Sequence, residues 1–305
     1  MLEISIPGKI FLLGEYAVLG GSPAWVAALG PRFSLRAEKA EEWEFPFSSQ
    51  SPAGRLLQAW KEQGEIGPFR FAFRDAHGGA GGFGGSTAEF ALAYVAEKLI
   101  SREAQTGSFD AIALPTWKKY REVTGRDPGI APSGADLLVQ LLGGVQRVRV
   151  DRTGEAHVSP IHDQLPLERF VILSAAGVPG RKVTTHAHLA SFEGGTQFHR
   201  DLEQIVADAE MALHAGDVIA LGASLTRYAE VLGELGLEAP AAREERERFT
   251  RLPGVLGYKG CGALLSDAAV ALVSDDVAAS GLIQAASARG LRLVTQGLKV
   301  EPGVR

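Results

Sequence analysis

The sequence contains a lysine, an aspartate and several glycine clusters whose residue types and spacing suit the binding and transfer of a phosphate group. One glycine cluster, residues 78–85, leads directly into a segment with helical periodicity. Glycine lets a ligand approach the backbone closely, and the free N–H groups at the start of a helix attract anions. The segment is therefore predicted to bind phosphate.

The same glycines formally match a dinucleotide fingerprint through Gly79, Gly81 and Gly84. The preceding strand, however, alternates apolar residues with Arg70 and Arg74, whereas a central parallel strand should be continuously apolar. No strand ending in an acid follows at the expected distance. A nicotinamide or flavin enzyme is therefore disfavoured, and a Walker A loop is excluded because its G-x-x-x-x-G-K-[ST] pattern is missing from the sequence.

Ser86 supports two interpretations. With Glu89 it forms the S-x-x-E pattern of a capping box, which stabilises a helix start without any functional role. A hydroxyl at the mouth of an anion site would also reach a magnesium ion that bridges nucleotide phosphates.

Lys9 and Asp136 form the second candidate constellation. Lys9 lies in the apolar segment PGKIFLL, where a buried ammonium group needs a carboxylate partner. Asp136, in PSGAD, is a candidate partner, although Ser133-x-x-Asp136 alone is also typical of a helix cap. Such a pair would keep the carboxylate ionised and place positive charge where a transferring phosphoryl group develops negative charge.

Three further segments have simpler interpretations. The glycine cluster at 257–263 is predicted to be a tight turn that joins the helical half to a final sheet, with Cys261 as a small packed residue. The run REERER at 243–248 is predicted to be a solvated helix face. His186 and His188 are predicted to lie on the surface.

Hydrophobic periodicity predicts an α+β protein. The predicted helices are 86–101, a segment after Gly134, 198–214, 217–236, 239–250 and 277–288. The predicted strands are 4–13 with an interruption at Pro7-Gly8, 69–73, 147–150, 169–175, 268–273 and 291–295. The length of 305 residues favours two domains, and a boundary is expected at the strand near 166.

Composition excludes several classes of protein. The 31 Lys and Arg against 36 Asp and Glu give a net charge of −5, which argues against a nucleic-acid partner. The single cysteine cannot form a disulfide within the chain and fits a reducing, cytoplasmic compartment. The opening residues and the hydropathy pattern predict neither export nor a membrane span.

Taken in order, PGKIFLLGEYAVLGG, GGAGGFGGSTAEF, PSGAD and GYKGCGALLSDAAVAL resemble the motifs of the GHMP kinase superfamily. The resemblance is greatest to mevalonate kinases and phosphomevalonate kinases. It implies an N-terminal nucleotide-binding α/β domain, residues 1–165, and a C-terminal ferredoxin-like α+β domain, residues 166–305, with ATP and the acceptor bound between them. The protein is expected to be a monomer or a homodimer.

The resemblance also implies roles for individual residues. Asp136 would accept the proton of the acceptor hydroxyl, with Lys9 beside it, and Ser86 would reach Mg²⁺. Glu15 matches an acid of the first motif, with a structural or a catalytic role. The nucleotide would be bound by Gly81, Gly82, Phe83, Gly84, Gly85, Ser86, Thr87, Gly262 and Ala263.

The sequence departs from the family pattern at three places. Gly85 replaces a serine, and Leu264-Leu265-Ser266 stands where a glycine run is usual. A glutamate that binds the metal is expected before PSGAD, and Glu122 is the candidate, with Asp127 also near. The implied activity is ATP-dependent phosphorylation of mevalonate.

Two alternatives remain open. A phosphomevalonate kinase needs more cationic groups for its acceptor, which Lys118, Lys119, Arg181 and Lys182 would supply. A catalytically weak relative that only binds ligands would fit the altered third glycine motif.

Overall fold

A computed structural model describes residues 1–64, 66–101, 110–125, 132–178 and 196–305. His186, His188, Arg181, Lys182 and Asp127 lie outside these residues. In the described part of the chain, nine strands form two antiparallel sheets, with helices packed against them.

The first sheet is organised around one long strand. Its strands are Leu2–Leu13 (β1), Ala24–Lys39 (β2), Phe69–Arg74 (β3), Val145–Val150 (β4) and Ala156–Pro160 (β5). One edge of β2 pairs with β1, and its other edge pairs with β4 near its start and with β3 near its end. Because β3 is antiparallel to β2, the glycine cluster that follows it does not belong to a parallel dinucleotide-binding unit.

The first strand is continuous where an interruption was predicted. The pairing of β1 with β2 shifts register between Pro7 and Gly8, but the strand continues to Leu13. Proline lacks an N–H group, so a register shift at this position loses less ladder hydrogen bonding than elsewhere.

Four helices accompany this sheet in the described residues: Pro52–Gln63 (α1), Gly85–Ile100 (α2), Asp110–Thr124 (α3) and Ala135–Leu142 (α4). Their apolar faces bury a common core with the sheet, which includes Phe33, Phe90 and Trp117. Both α2 and α4 pack against β1. This packing brings the starts of α2 and α4 close to the middle of β1.

The second sheet has the order β7-β8-β6-β9. Its strands are Phe170–Ser174 (β6), Val255–Cys261 (β7), Ala268–Val273 (β8) and Arg292–Gln296 (β9). Helices Thr196–Ala215 (α5), Val218–Glu234 (α6) and Pro240–Phe249 (α7) lie between β6 and β7, and Asp276–Ser287 (α8) lies between β8 and β9. This strand order and alternation confirm the predicted ferredoxin-like α+β arrangement.

The prediction of a glycine turn at residues 257–263 was wrong for most of that segment. Residues up to Cys261 form β7, and the glycines are required by packing. A β-carbon on Gly257 would collide with the carbonyl oxygen of Gly222 on α6, and one on Gly260 would collide with the carbonyl oxygen of Leu265. Glycine here lets a helix and a strand approach closely, so it does not mark a turn.

The prediction of a fully solvated REERER face was also wrong. Glu245 and Arg246 are buried, and Arg246 donates two hydrogen bonds of 2.9 and 2.8 Å to Glu238. Glu244, in the same run, pairs with Arg289 outside α7. The charged sequence did not reveal the buried face of this helix, because an arginine and a carboxylate that form a bidentate pair can be buried together.

The two sheets share a hydrophobic core. Side chains of β1 and β2, such as Ile10 and Trp25, pack with Leu225, Tyr228 and other residues of the second half. Residues 298–305 return to the first sheet, where Arg305 and Ser5 exchange backbone hydrogen bonds of 2.9 Å. The boundary at 165 stays a prediction. Within the described residues, no helix combines the length and hydropathy that crossing a membrane requires.

Candidate active site

The glycine loop between β3 and α2 is shaped by left-handed backbone conformations. Gly78, Gly79, Gly82 and Gly84 have φ angles of 63°, 78°, 83° and 83°, which residues with side chains rarely adopt. The loop is fixed to β1 because the Lys9 N–H donates a 3.0 Å hydrogen bond to the carbonyl of Phe83. The first turn of α2 therefore begins beside the middle of β1.

Lys9 lies directly under this loop. The side chain is 7% exposed, and its Nζ lies 4.9 Å from the centre of the Phe11 ring. A β-carbon on Gly84 would approach Lys9 Cγ to 2.9 Å and Gln140 Nε2 to 3.0 Å. Gly84 is thus needed for the loop to lie against a buried cation, which is an arrangement suited to an anionic ligand.

Gln140, on α4, connects three of the sequence motifs, although sequence reasoning did not single it out. Its Nε2 donates 3.1 Å hydrogen bonds to the carbonyls of Pro7 and Gly84, and its Oε1 lies 2.7 Å from the hydroxyl of Thr87. The signal was present in the sequence, because Gln140 is the only amide in the apolar helix ADLLVQLL. A buried polar side chain in such a helix needs specific partners.

Replacing Gln140 by leucine should therefore destabilise the protein. The Thr87 hydroxyl still donates to the Gly84 carbonyl at 3.0 Å, and that carbonyl also accepts from the Ala88 N–H, so the main loss is the hydrogen bond to the Pro7 carbonyl. An unsatisfied buried group costs roughly 1–3 kcal/mol, so we expect urea denaturation to show a loss of about 2 kcal/mol in the free energy of unfolding. The control is Gln204→Leu, which removes an exposed hydrogen bond to Asp208 and should change stability by less than about 0.5 kcal/mol. Equal losses in the two variants would contradict this role.

Asp136 lies in the first turn of α4, one turn before Gln140 on the same helix face. Its Oδ1 accepts a 3.0 Å hydrogen bond from the Leu137 N–H. In the described structure Lys9 and Asp136 do not form the predicted ion pair, since Lys9 lies over Phe11. The two side chains still belong to packed elements, because Gln140 binds both β1 and the loop against which Lys9 lies.

The start of α4 is held in place by α3. Trp117 Nε1 donates a 2.7 Å hydrogen bond to the carbonyl of Ser133, and a β-carbon on Gly134 would approach the same indole ring to 2.7 Å. Gly134 has φ 69° and is the N-cap of α4. The Ser133 hydroxyl accepts a 3.3 Å hydrogen bond from the Ala135 N–H, which is a cap-like contact.

The remaining predicted residues of this region have different environments. Ser86 is exposed in the first turn of α2; the N-cap is Gly84, so the capping-box interpretation was wrong. Glu122, the candidate metal ligand, is exposed on α3 and lies 3.0 Å from Lys119. Gly81 is exposed, whereas Phe83 is buried and its ring stacks on His77 at 4.6 Å. Gly85 lies at the first position of α2.

The third motif forms a short turn that faces the glycine loop. Leu264 and Leu265 have φ angles of 49° and 55°, in the left-handed region where glycine is usual. The carboxylate of Asp267 lies between the two glycine segments, because a β-carbon on Gly81 or on Gly262 would collide with it. Sequence reasoning missed Asp267, which is a carboxylate in a motif where a glycine run was expected.

Beneath this turn, Glu15 and Lys259 form a buried ion pair that joins the two sheets. Lys259 is fully buried and also donates to the carbonyl of Gly260 at 3.0 Å and to Cys261 Sγ at 3.3 Å. Burial lowers the pKa of Lys259, but Cys261, whose thiolate forms only at alkaline pH, and the Glu15 carboxylate outweigh it, so the pKa is raised overall. These contacts favour a structural role for Glu15.

Cys261 is a packed residue, as predicted. It is buried, and its thiol donates to the carbonyl of Phe11 at 3.2 Å. Burial raises the pKa of the thiol to about 11, although the charge of Lys259 opposes this. The thiol is therefore neutral at physiological pH, which does not suit a nucleophile.

The residues of this region suit a polyphosphate group, and some of them also suit the metal ion that accompanies it. The left-handed glycine loop, the start of α2 and the buried ammonium group of Lys9 suit phosphate. The exposed Ser86 hydroxyl and the Asp267 carboxylate are oxygen donors of the kind that Mg²⁺ prefers.

Comparison with solved structures gives matches over nearly the whole chain. A Listeria innocua protein matches with a TM-score of 0.78 and 17% identity, over 100% of this chain and 99% of that one. Streptococcus pneumoniae phosphomevalonate kinase in complex with phosphomevalonate and AMPPNP matches with a TM-score of 0.75 and 16% identity, over 99% and 100%. Methanococcus jannaschii mevalonate kinase matches with a TM-score of 0.71 and 16% identity, over 96% of each chain.

No protein-family model matches the chain, and no curated protein matches it in sequence. The structural matches show that the chain has the fold of the GHMP kinases, as the resemblance of its motifs implied. Within that fold, the solved structures similar to this chain include both a mevalonate kinase and a phosphomevalonate kinase. Identities this low show the shared fold alone.

Proposed function

We propose that this protein is an ATP-dependent kinase that transfers the γ-phosphoryl group to a hydroxyl of a small hydroxy acid, with mevalonate as the first acceptor to test. One observation carries the proposal: Gln140 links β1, the glycine loop and α2, and so brings Lys9, the phosphate-binding loop and the start of α4 to one place. Catalysis of phosphoryl transfer depends mainly on positioning and on neutralising charge.

Each group has a distinct task in this proposal. The loop 81–85 and the start of α2 bind the phosphates through backbone N–H groups. Asp136 orients the acceptor hydroxyl and accepts its proton, and the buried ammonium group of Lys9 stabilises the negative charge that develops on the transferring group. Ser86, with Thr87 and the turn at Gly262 and Ala263, completes the nucleotide site.

Magnesium would be held by Ser86 together with phosphate oxygens, and it would neutralise charge on the phosphates. Glu122 is less suited to this role, because its carboxylate is exposed and lies beside Lys119. Asp267 is better located, because its carboxylate faces Gly81.

The direct test is a coupled assay of ADP release with mevalonate, phosphomevalonate, homoserine and sugars as acceptors. The proposal expects turnover with a hydroxy acid and little turnover with neutral sugars. Absence of transfer to every acceptor, despite ATP binding, would contradict it.

A second candidate function is that of a catalytically weak ligand-binding protein with the same fold. The observation that favours it is Asp267, whose negative charge lies at the edge of the loop proposed to bind phosphate. The carboxylate and the phosphates of a nucleotide have like charges and repel each other, so a nucleotide without Mg²⁺ would bind weakly.

Asp267→Asn should therefore strengthen the binding of ADP in the absence of metal. Two unit charges about 4 Å apart in a water-like dielectric interact by about 1 kcal/mol, which corresponds to about a fivefold change in Kd. Calorimetric titration with ADP and EDTA measures it, and Asp163→Asn, an exposed acid, is the control that should change nothing. Weaker binding by Asp267→Asn would mean that the carboxylate supports the loop and does not repel the phosphates.

A further inference from the structure

A cavity of about 250 Å³ lies next to the start of α4. Its walls are residues 18–21, which follow β1, the end of α3, and the turn after β4. Ser133 lines it, three residues before Asp136. The cavity therefore borders the segment that leads into α4 and to Asp136, whose carboxylate is proposed to orient the acceptor hydroxyl.

Two guanidinium groups line this cavity, those of Arg121 and Arg152. Arg121 is positioned by stacking over the ring of Trp117, at 5.2 Å from its centre. Neither arginine forms an ion pair with an acidic residue in the described part of the chain, and no described hydrogen bond engages either side chain. Their charges are thus available to a ligand.

Among the described residues that line the cavity, the one acid is already engaged. Asp151 lies 2.8 Å from His157 Nε2 and accepts hydrogen bonds from the N–H and hydroxyl of Thr153 and from the N–H of Glu155. These contacts hold the pKa of the Asp151 carboxyl well below its usual range, and the hydrogen bond with His157 contributes most. Asp151 is therefore ionised with its oxygens engaged within its own turn, and two arginines face this one carboxylate among the described residues that line the cavity.

The backbone of the cavity is fixed on both sides. Arg149 Nε donates a 2.9 Å hydrogen bond to the carbonyl of Gly21, which ties residues 18–21 to β4. Trp117 ties Ser133 to α3 through its 2.7 Å hydrogen bond. A cavity with fixed walls can select its ligand with little loss of conformational entropy.

We propose that this cavity binds the anionic group of the acceptor, a carboxylate or a phosphate, through Arg121 and Arg152. The guanidinium fork matches both groups in bidentate geometry. The inference rests on the proposed kinase function and sharpens it: the acceptor is a small anionic alcohol, and neutral sugars are disfavoured because they offer the two guanidinium groups no negative charge to pair with.

The test compares Arg121→Gln and Arg152→Gln with Arg243→Gln, whose side chain pairs with Glu247 on the exposed face of α7. We expect each of the first two variants to raise the KM for the anionic acceptor at least tenfold, with the KM for ATP and kcat changed less than twofold. Arg243→Gln should change none of these values. A KM effect without a kcat effect would separate ligand binding from damage to the fold.

The acceptors identify the group that is bound. If phosphomevalonate loses more affinity than mevalonate, the arginines bind its phosphate; equal losses indicate the carboxylate that both share. Unchanged acceptor KM in both arginine variants, or equal losses in Arg243→Gln, would overturn the inference and leave the kinase proposal intact. Efficient use of galactose would overturn both the inference and the proposed hydroxy-acid acceptor. If no acceptor is phosphorylated, calorimetric titration with mevalonate and phosphomevalonate decides: arginine-dependent binding supports the cavity without the kinase, and absence of binding overturns the inference.

Discussion

Asp136→Asn should lower kcat by about three orders of magnitude and leave the Kd for ATP within about twofold. Removal of a general base typically costs 10²–10⁴ in rate, and an asparagine cannot accept the proton of the acceptor hydroxyl. The substitution keeps the shape of the side chain, and its amide oxygen can still accept the hydrogen bond from the Leu137 N–H. Steady-state ADP release and calorimetric titration with nucleotide measure the two quantities.

The control for this experiment is Asp163→Asn, which removes a carboxylate that is 93% exposed in the turn after β5. It should leave kcat unchanged. Near-normal turnover by Asp136→Asn, with an unaltered melting temperature, would refute the proposed role of Asp136.

Lys259→Met should produce the largest loss of stability, about 3–5 kcal/mol in the free energy of unfolding. The variant leaves the Glu15 carboxylate buried without its cation, and Glu15 Oε2 already has no hydrogen-bond partner among the described residues. Burying a charge without a partner costs more than the pair itself contributes. Urea denaturation, analysed as a double-mutant cycle with Glu15→Gln, measures the effect.

The double variant should recover a large part of the loss, because it removes both charges together. An exposed ion pair gives the comparison: Arg227→Met breaks contacts with Glu230 and Glu234 and should cost less than about 1 kcal/mol. If Lys259→Met costs no more than Arg227→Met, the ion pair does not hold the two sheets together.

Local sequence patterns predicted the helices and strands whose burial follows a regular hydrophobic period. The strand at 268–273 and the helices near 198–214 and 277–288 were recovered within two residues, because their hydrophobic periodicity follows burial on one face. The long strand β2 was missed, because it is buried by partners on both edges that lie far away in the chain. The glycines of β7 were interpreted as a turn because the helix they accommodate cannot be seen in the local sequence.

The candidate site was predictable in its motifs and unpredictable in its contacts. Glycines before a helix and a lysine in an apolar strand indicate phosphate chemistry from residue types alone. That Lys9 lies over Phe11, and that Gln140 connects the motifs, depends on how β1 and α4 pack. The departure of the third motif was visible in the sequence, but the location of the Asp267 carboxylate was not.

The contact between Gly222 on α6 and Gly257 on β7 constrains how this protein can evolve. A β-carbon on Gly257 would meet backbone atoms of Gly222, and one on Gly222 would meet the backbone carbonyl of Leu256, so neither change can be rescued by shortening a neighbouring side chain. Each position must therefore remain glycine, and homologous sequences should show no pair of compensating substitutions at these two sites. Neutral substitution near this contact is therefore confined to the residues that flank the two glycines.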